Sequence, residues 1–255
     1  MRQHICMHSP AVREQALALV ASGLNDCEIS RRTGIARTTI RDWRRPRYAP
    51  RDRHGLKAIC PRCWNRSPPM RFSAVDYSEL LGLYLGDGYV VRLARTWRLR
   101  LYLDSRHPEI LRDSKALLER CFSHNKVGRA TGHEGRMTIL SVYSSHAGCL
   151  FPQHGPGMKH QRDIALESWQ QQLVDEAPWA FLRGCIRSDG CSYINRTGPY
   201  EYLSYEFSNR SQDILDLFGR TCTSVGVEFR RYDRAIRIYR RSSVALMETK
   251  VGVKR

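Results

Sequence analysis

Two aspartates, each set between small residues at the end of a run rich in apolar side chains, carry the chemistry that can be read from this sequence. Asp87 closes Leu80-Leu-Gly-Leu-Tyr-Leu-Gly-Asp-Gly88, and Asp189 closes Leu182-Arg-Gly-Cys-Ile-Arg-Ser-Asp-Gly190. Gly82 matches Gly184, Gly86 matches Ser188 and Gly88 matches Gly190, so one pattern occurs twice, with its acids 102 residues apart. Two carboxylates brought together repel, and such a pair either shares a proton or binds cations. Carboxylate and backbone carbonyl oxygens are hard ligands that suit Mg²⁺. A cation held there can activate water and stabilise the leaving oxygen of a phosphodiester.

The elements around the acids explain how they would meet. Gly82 and Gly86 lie four apart and share a helix face, as do Gly184 and Ser188. Small residues on facing stripes let two helix backbones touch, because no side chain holds them apart. Two parallel helices would then end together, with Asp87 and Asp189 side by side. The segment from Tyr77 to Gly86 is nearly all apolar, which predicts burial on most sides. Asp76 and Glu79 have capping-box spacing at its start, and Pro178 suits the first turn of the second helix.

A similar series follows each motif. Alternation predicts strands over 98–103, 126–130 and 137–143, with a helix over 108–122 between the first two. The second copy predicts strands over 202–207, 227–232 and 235–239 and a helix over 212–224. Asn209-Arg-Ser echoes Asp104-Ser-Arg just before the helix. Each copy reads as α-β-β-α-β-β-α, over 73–175 and 176–255, which makes this region α+β with antiparallel sheets.

At these residues the chain resembles the LAGLIDADG homing endonucleases in their single-chain, two-repeat form, over about 73–255. The resemblance implies a pseudo-symmetric pair of units whose sheets form a saddle over double-stranded DNA. It implies a monomer that cuts both strands across the minor groove. Two or three Mg²⁺ ions would be shared between Asp87 and Asp189, with Gly86 and Ser188 beside them as further ligands. It also implies a basic residue near each scissile phosphate, ahead of the second motif helix. Lys159, with Arg162 next, fits that place, and Lys250 is expected in the second copy; an ordinary exposed lysine is the alternative reading of Lys159. A related group of bacterial developmental regulators has this fold without the acids. The resemblance therefore leaves a catalytically silent DNA-binding regulator as the alternative, and the presence of both aspartates favours the nuclease. Strand positions Arg98, Arg100, Arg237 and Arg240 are candidate DNA contacts, more readily phosphate contacts or solvated charges than base readers.

The N-terminal third has its own organisation. Val12, Ala16, Leu19 and Val20 form an apolar stripe at helical spacing, Gly23 ends that helix, and Asn25 with Glu28 predicts the start of a second. Gly34 permits a tight turn before a third helix over about 37–45, which buries Ile40 and Trp43 and leaves Arg37, Thr38, Thr39, Arg41 and Arg44 outside. Hydroxyls and guanidinium groups so placed suit a recognition helix, and residues 1–45 resemble the helix-turn-helix domains of resolvases and homeodomain-like regulators. A generic three-helix module with a solvated basic face is the alternative. Residues 46–72 form a proline-rich basic linker holding Cys60-Pro-Arg-Cys63. That spacing suits a zinc knuckle, but no second pair follows, and His54, His4, Cys6 and His8 are the remaining possible ligands; two ordinary thiols are the competing reading.

The net charge of +17 draws polyanions from a distance. Ten of those seventeen charges fall in residues 1–72, so duplex DNA is the expected partner rather than a membrane. No run reaches the length of a membrane helix. The N-terminus lacks a signal peptide's apolar stretch, so a cytoplasmic, nucleoid-associated protein is expected. The chain ends carry no splicing residues, and a free-standing protein is expected. An odd number of cysteines, 9, argues against a disulfide framework, and Cys121, Cys149, Cys185 and Cys222 read as small buried hydrophobes.

Overall fold

A computed structural model describes residues 10–44 and 73–254. They belong to two compact units, one on each side of Arg53. Cys60, Cys63, His54, His4, Cys6, His8 and the 46–72 linker lie outside the described residues.

The first unit is three helices, α1 (Pro10–Ala21), α2 (Asp26–Thr33) and α3 (Arg37–Arg44). They close around Ala16, Ile29, Ile35 and Ile40, with Val12, Leu19, Val20 and Trp43 packed against that centre. Asn25 caps α2 by accepting from the Glu28 amide. Gly34 takes φ 70° to turn the chain into α3, a left-handed conformation that glycine adopts without strain.

In the second unit, α4 (Ala74–Asp87) leads into β1 (Gly88–Arg92), β2 (Trp97–Asp104), α5 (Pro108–Cys121), β3 (Val127–Gly132) and β4 (Met137–Ser144). The short α6 (Ala147–Leu150) and α7 (Ser168–Glu176) follow. The series then repeats as α8 (Pro178–Arg187), β5 (Gly190–Thr197), β6 (Tyr200–Ser208), α9 (Gln212–Ser224), β7 (Arg230–Arg231), β8 (Ala235–Ile238) and α10 (Arg241–Lys250). The sheets have matching strand orders, β1-β2-β4-β3 and β5-β6-β8-β7, all antiparallel. Gly88 pairs with Leu101 in one and Gly190 with Phe207 in the other, so the glycine after each aspartate takes the same place in its sheet. The mixed α+β architecture and the duplication are as the sequence predicts.

Period-two alternation sets which face is covered. Leu99, Leu101, Leu103, Leu140 and Val142 point inward in the first sheet, and Tyr205, Phe207, Ile236 and Ile238 in the second. One hydrophobic cluster takes in both inner faces, α4 and α8.

Three local expectations are corrected. The cap of α4 is Ser73, which accepts from the Asp76 amide, so the helix starts earlier than the Asp76–Glu79 spacing suggested. Asp76 instead pairs with Arg120, and Glu79 is buried between Arg183 and Arg187 of α8. The strand expected over 227–232 shrinks to Arg230–Arg231, because the Val227 amide closes the end of α9 on Cys222 and the Glu228 amide bonds to Ser243. Cys149 is only partly buried, while Cys121, Cys185 and Cys222 are buried.

Candidate functional site

The site begins with the contact between α4 and α8. A Cβ on Gly82 would lie 2.5 Å from the Phe181 carbonyl oxygen, and one on Gly184 would run into the Glu79 carbonyl. Four residues on, a Cβ on Gly86 would strike the Ser188 side chain. Gly82 meets Gly184 and Gly86 meets Ser188, so the helices run parallel and end at one level. Ser188 turns its hydroxyl back onto the Gly184 and Cys185 carbonyls (3.0 Å each), which suits its tight place at the helix end.

Asp87 is the last residue of α4 and Asp189 lies two past the end of α8. Burial pushes the Asp87 carboxyl up to about 7, and the neighbouring Asp189 charge adds to the rise. Burial also raises Asp189, opposed by the Lys159 charge and by a hydrogen bond from Asn209. That bond runs from Asn209 Nδ2 to Asp189 Oδ2 at 2.6 Å, and the Asn209 amide is fixed because its Oδ1 accepts from the Ser211 N–H. In the first copy, Asp104 is held at 2.7 Å by Arg106, and hydrogen bonds from Arg106 lower its carboxyl to about 2.

Two ammonium groups complete the arrangement. Lys159 Nζ donates to the carbonyls of Tyr84, Leu85 and Gly86 at 2.6, 2.9 and 2.9 Å. Lys254 Nζ donates to the carbonyls of Ser188 and Gly190 at 2.7 and 2.8 Å. The last carbonyls of a helix lack intrahelical donors and carry partial negative charge, and an ammonium has three hydrogens to give them. Burial lowers Lys159 to about 8 and also lowers Lys254, against the pull of both aspartates.

Lys159 bonds to the end of α4 beside the motif acids, and in the second copy the lysine placed in this way is Lys254 rather than Lys250. Lys250 ends α10, and its carbonyl accepts from Arg183. A shared signal was available: Gly157-Met-Lys159 and Gly252-Val-Lys254 each place a lysine two residues after a glycine with positive φ, 74° and 87°. Arg162 reaches the carbonyls of Gln153, Gly155, Pro156 and Gly157, so it braces the loop that carries Lys159. Asn209 was legible only as an echo of Asp104.

A cleft of about 640 Å³ opens here, lined by Gly86, Tyr89, Lys159, Asp189, Asn209 and Arg234 among others. Among the described residues no group of three or more His, Cys, Asp or Glu could hold a metal ion. The donor set nevertheless fits a hard cation, since Mg²⁺ commonly takes one or two carboxylates and fills its shell with water and substrate oxygens.

Arg98, Arg100 and Arg237 all lie on the outer faces of the sheets, away from the core. Arg240 lies just past β8, exposed and ion-paired with Glu228. In the first unit Arg37, Thr38 and Arg41 are exposed and Thr39 is half-buried. Arg44, expected to be a free contact, is tied to Asp26 at 2.9 Å and to the Leu24 carbonyl, so it staples α3 to the start of α2.

No protein-family model matches the chain, and no curated protein matches it. Solved structures do. The N-terminal LAGLIDADG domain of DUF199/WhiA is 17% identical, covering 72% of this chain and 87% of its own, with a TM-score of 0.46. A mesophilic variant of the homing endonuclease I-DmoI is 15% identical over 70% of this chain and 96% of its own, at 0.47. I-DmoI in complex with DNA and Mn is 13% identical over 71% and 98%, at 0.48. Among the described residues no helix is long and apolar enough to cross a membrane. The region from 73 to 254 has two glycine-faced helices and two four-stranded sheets of one strand order.

Proposed function

We propose that this chain is a metal-dependent endonuclease acting on double-stranded DNA, with both copies of its site in one monomer. The observation that supports it is the pair of carboxylates at one helix junction. Burial and mutual repulsion push Asp87 up to about 7 even with two ammonium groups nearby. Such a group calls for more positive charge than the chain provides. Asp87, Asp189 and the carbonyls of Gly86 and Ser188 would hold Mg²⁺, which when bound supplies a polarised water and neutralises charge on the phosphodiester.

The remaining work falls to the chain's own residues. Asn209 holds one oxygen of Asp189 and leaves the other to face the cleft. Lys159 and Lys254, once released from the carbonyls, carry ammonium groups to the phosphate oxygens. Arg98, Arg100 and Arg237 bind the duplex on the sheet faces, and Arg37, Thr38, Thr39 and Arg41 add contacts from the N-terminal unit, the candidate helix-turn-helix.

The alternative is a DNA-binding regulator of the same fold that does not cut. A cleavage assay on a library of duplex targets with Mg²⁺ separates the two. Wild type is expected to cut both strands of a selected target, and Asp87→Ala and Asp189→Ala to bind it and leave it intact. A wild type that binds a site tightly and never cuts it sinks the nuclease reading.

A further inference from the structure

The two sheets share a strand order but not a charge pattern. The residue after each motif glycine pairs with Arg100 in the first sheet, as Tyr89, and with Glu206 in the second, as Cys191. On the far side Arg100 pairs with Ser141, and Glu206 with Arg237. One position, next to the candidate site and on the outer face, is therefore a cation in one copy and an anion in the other.

Their surroundings differ accordingly. Arg98 donates to Ser141 Oγ at 3.1 Å and lies 5.1 Å over the Tyr143 ring, and Arg100 donates to the Tyr102 hydroxyl at 3.2 Å. These partners are neutral. Among the described residues each of the two arginines has a buried Nε without a hydrogen-bond partner. In the second sheet Arg237 Nε meets Glu206 at 2.5 Å, and its guanidinium stacks 4.7 Å from the Tyr232 ring centre. Ser208 holds the other Glu206 oxygen at 2.8 Å. Arg237 is thus fixed by its Nε on Glu206 and by Tyr232, with its guanidinium on the outer face of the sheet.

We propose that the two faces read the two halves of a DNA target by different chemistry: Arg98 and Arg100 grip one half through phosphate charge, and the Glu206–Arg237 pair selects a G·C base pair in the other. The proposal rests on the reading of these sheets as the DNA-facing surface. A guanidinium fork matches guanine O6 and N7, and a carboxylate accepts from the cytosine amino group. A carboxylate also repels phosphates and base edges that show only acceptors, so it lowers affinity for all other DNA. Arg98 and Arg100 are not opposed in this way, and their charge acts on any duplex.

The test is metal-free, so it is independent of cutting. The full chain is used to select randomised duplexes in EDTA, and wild type is compared with Glu206→Gln, Arg237→Lys and Arg100→Gln, each first checked for a wild-type melting curve. Glu206→Gln is expected to bind unselected duplex more tightly and to lose discrimination at one G·C pair, by roughly 5- to 100-fold. Arg237→Lys is expected to lose discrimination at that same pair. Arg100→Gln is expected to weaken selected and unselected duplex alike and to lower the salt slope by about one, with base preferences intact. Unchanged preference and unselected affinity in Glu206→Gln overturn the proposal, as does loss of a base preference in Arg100→Gln. If wild type binds no duplex, this proposal and the nuclease reading fail together. If it binds and cuts but Glu206→Gln is silent, only this proposal fails.

Discussion

At the scale of single residues, the buried carboxyl of Asp87 works against the fold. Its carboxyl rises from an ordinary value of 3.8 to about 7. Between those values the folded protein keeps a proton that the unfolded chain has released, so stability falls as pH climbs through that window and stays lower above it. Asp87→Asn is therefore expected to raise the melting temperature of the metal-free protein at pH 8 and to change it little at pH 4. Added Mg²⁺ should stabilise wild type more at pH 8 than at pH 6, because the ion competes with that proton, and should not stabilise the variant. Equal melting shifts at both pH values would count against a burdened carboxylate. The acids were legible because the motif occurs twice. Lys254 was legible only through its glycine spacing, because the second copy is shorter: its lysine follows its aspartate by 65 residues where Lys159 follows by 72, and Lys250 lies nearer the last strand.

At the scale of elements, the pairing of α4 with α8 sets everything downstream. Gly82 and Gly184 are the positions where any side chain must push backbone away, since a Cβ on either lands on the partner helix's main chain. Gly184→Ala is expected to cost about 1–3 kcal/mol or more in a denaturant melt, and to weaken metal binding because the two helix ends would no longer stand level. Gly23→Ala, at a glycine with φ 87° and open space around it, should strain only its own turn and leave metal binding unchanged. The glycine spacing and the order of helices and strands could be read from the sequence because both follow from local periodicity. The start of α4 could not, because Glu79, placed correctly for a cap, is drawn instead into ion pairs with Arg183 and Arg187. That choice depends on a helix more than a hundred residues away.

At the scale of the whole molecule, positive charge is divided between two units that would do different work. Residues 1–53 hold 6 of the 17 net charges and residues 54–255 the other 11, and both motif acids lie in the second unit. On α3, Arg44 is occupied by Asp26, which leaves Arg37 and Arg41 as the exposed guanidinium groups for DNA. Neutralising one phosphate contact removes about one unit from the slope of log affinity against log salt. Arg41→Ala is therefore expected to weaken duplex binding and reduce that slope by about one, while Mg²⁺-dependent cutting at saturating protein stays at the wild-type rate. Arg44→Ala is expected to act differently, lowering the melting temperature of the N-terminal unit, because it removes the staple between α3 and α2. If Arg41→Ala slows cutting even when all DNA is bound, the N-terminal unit does more than supply affinity and belongs to the catalytic footprint.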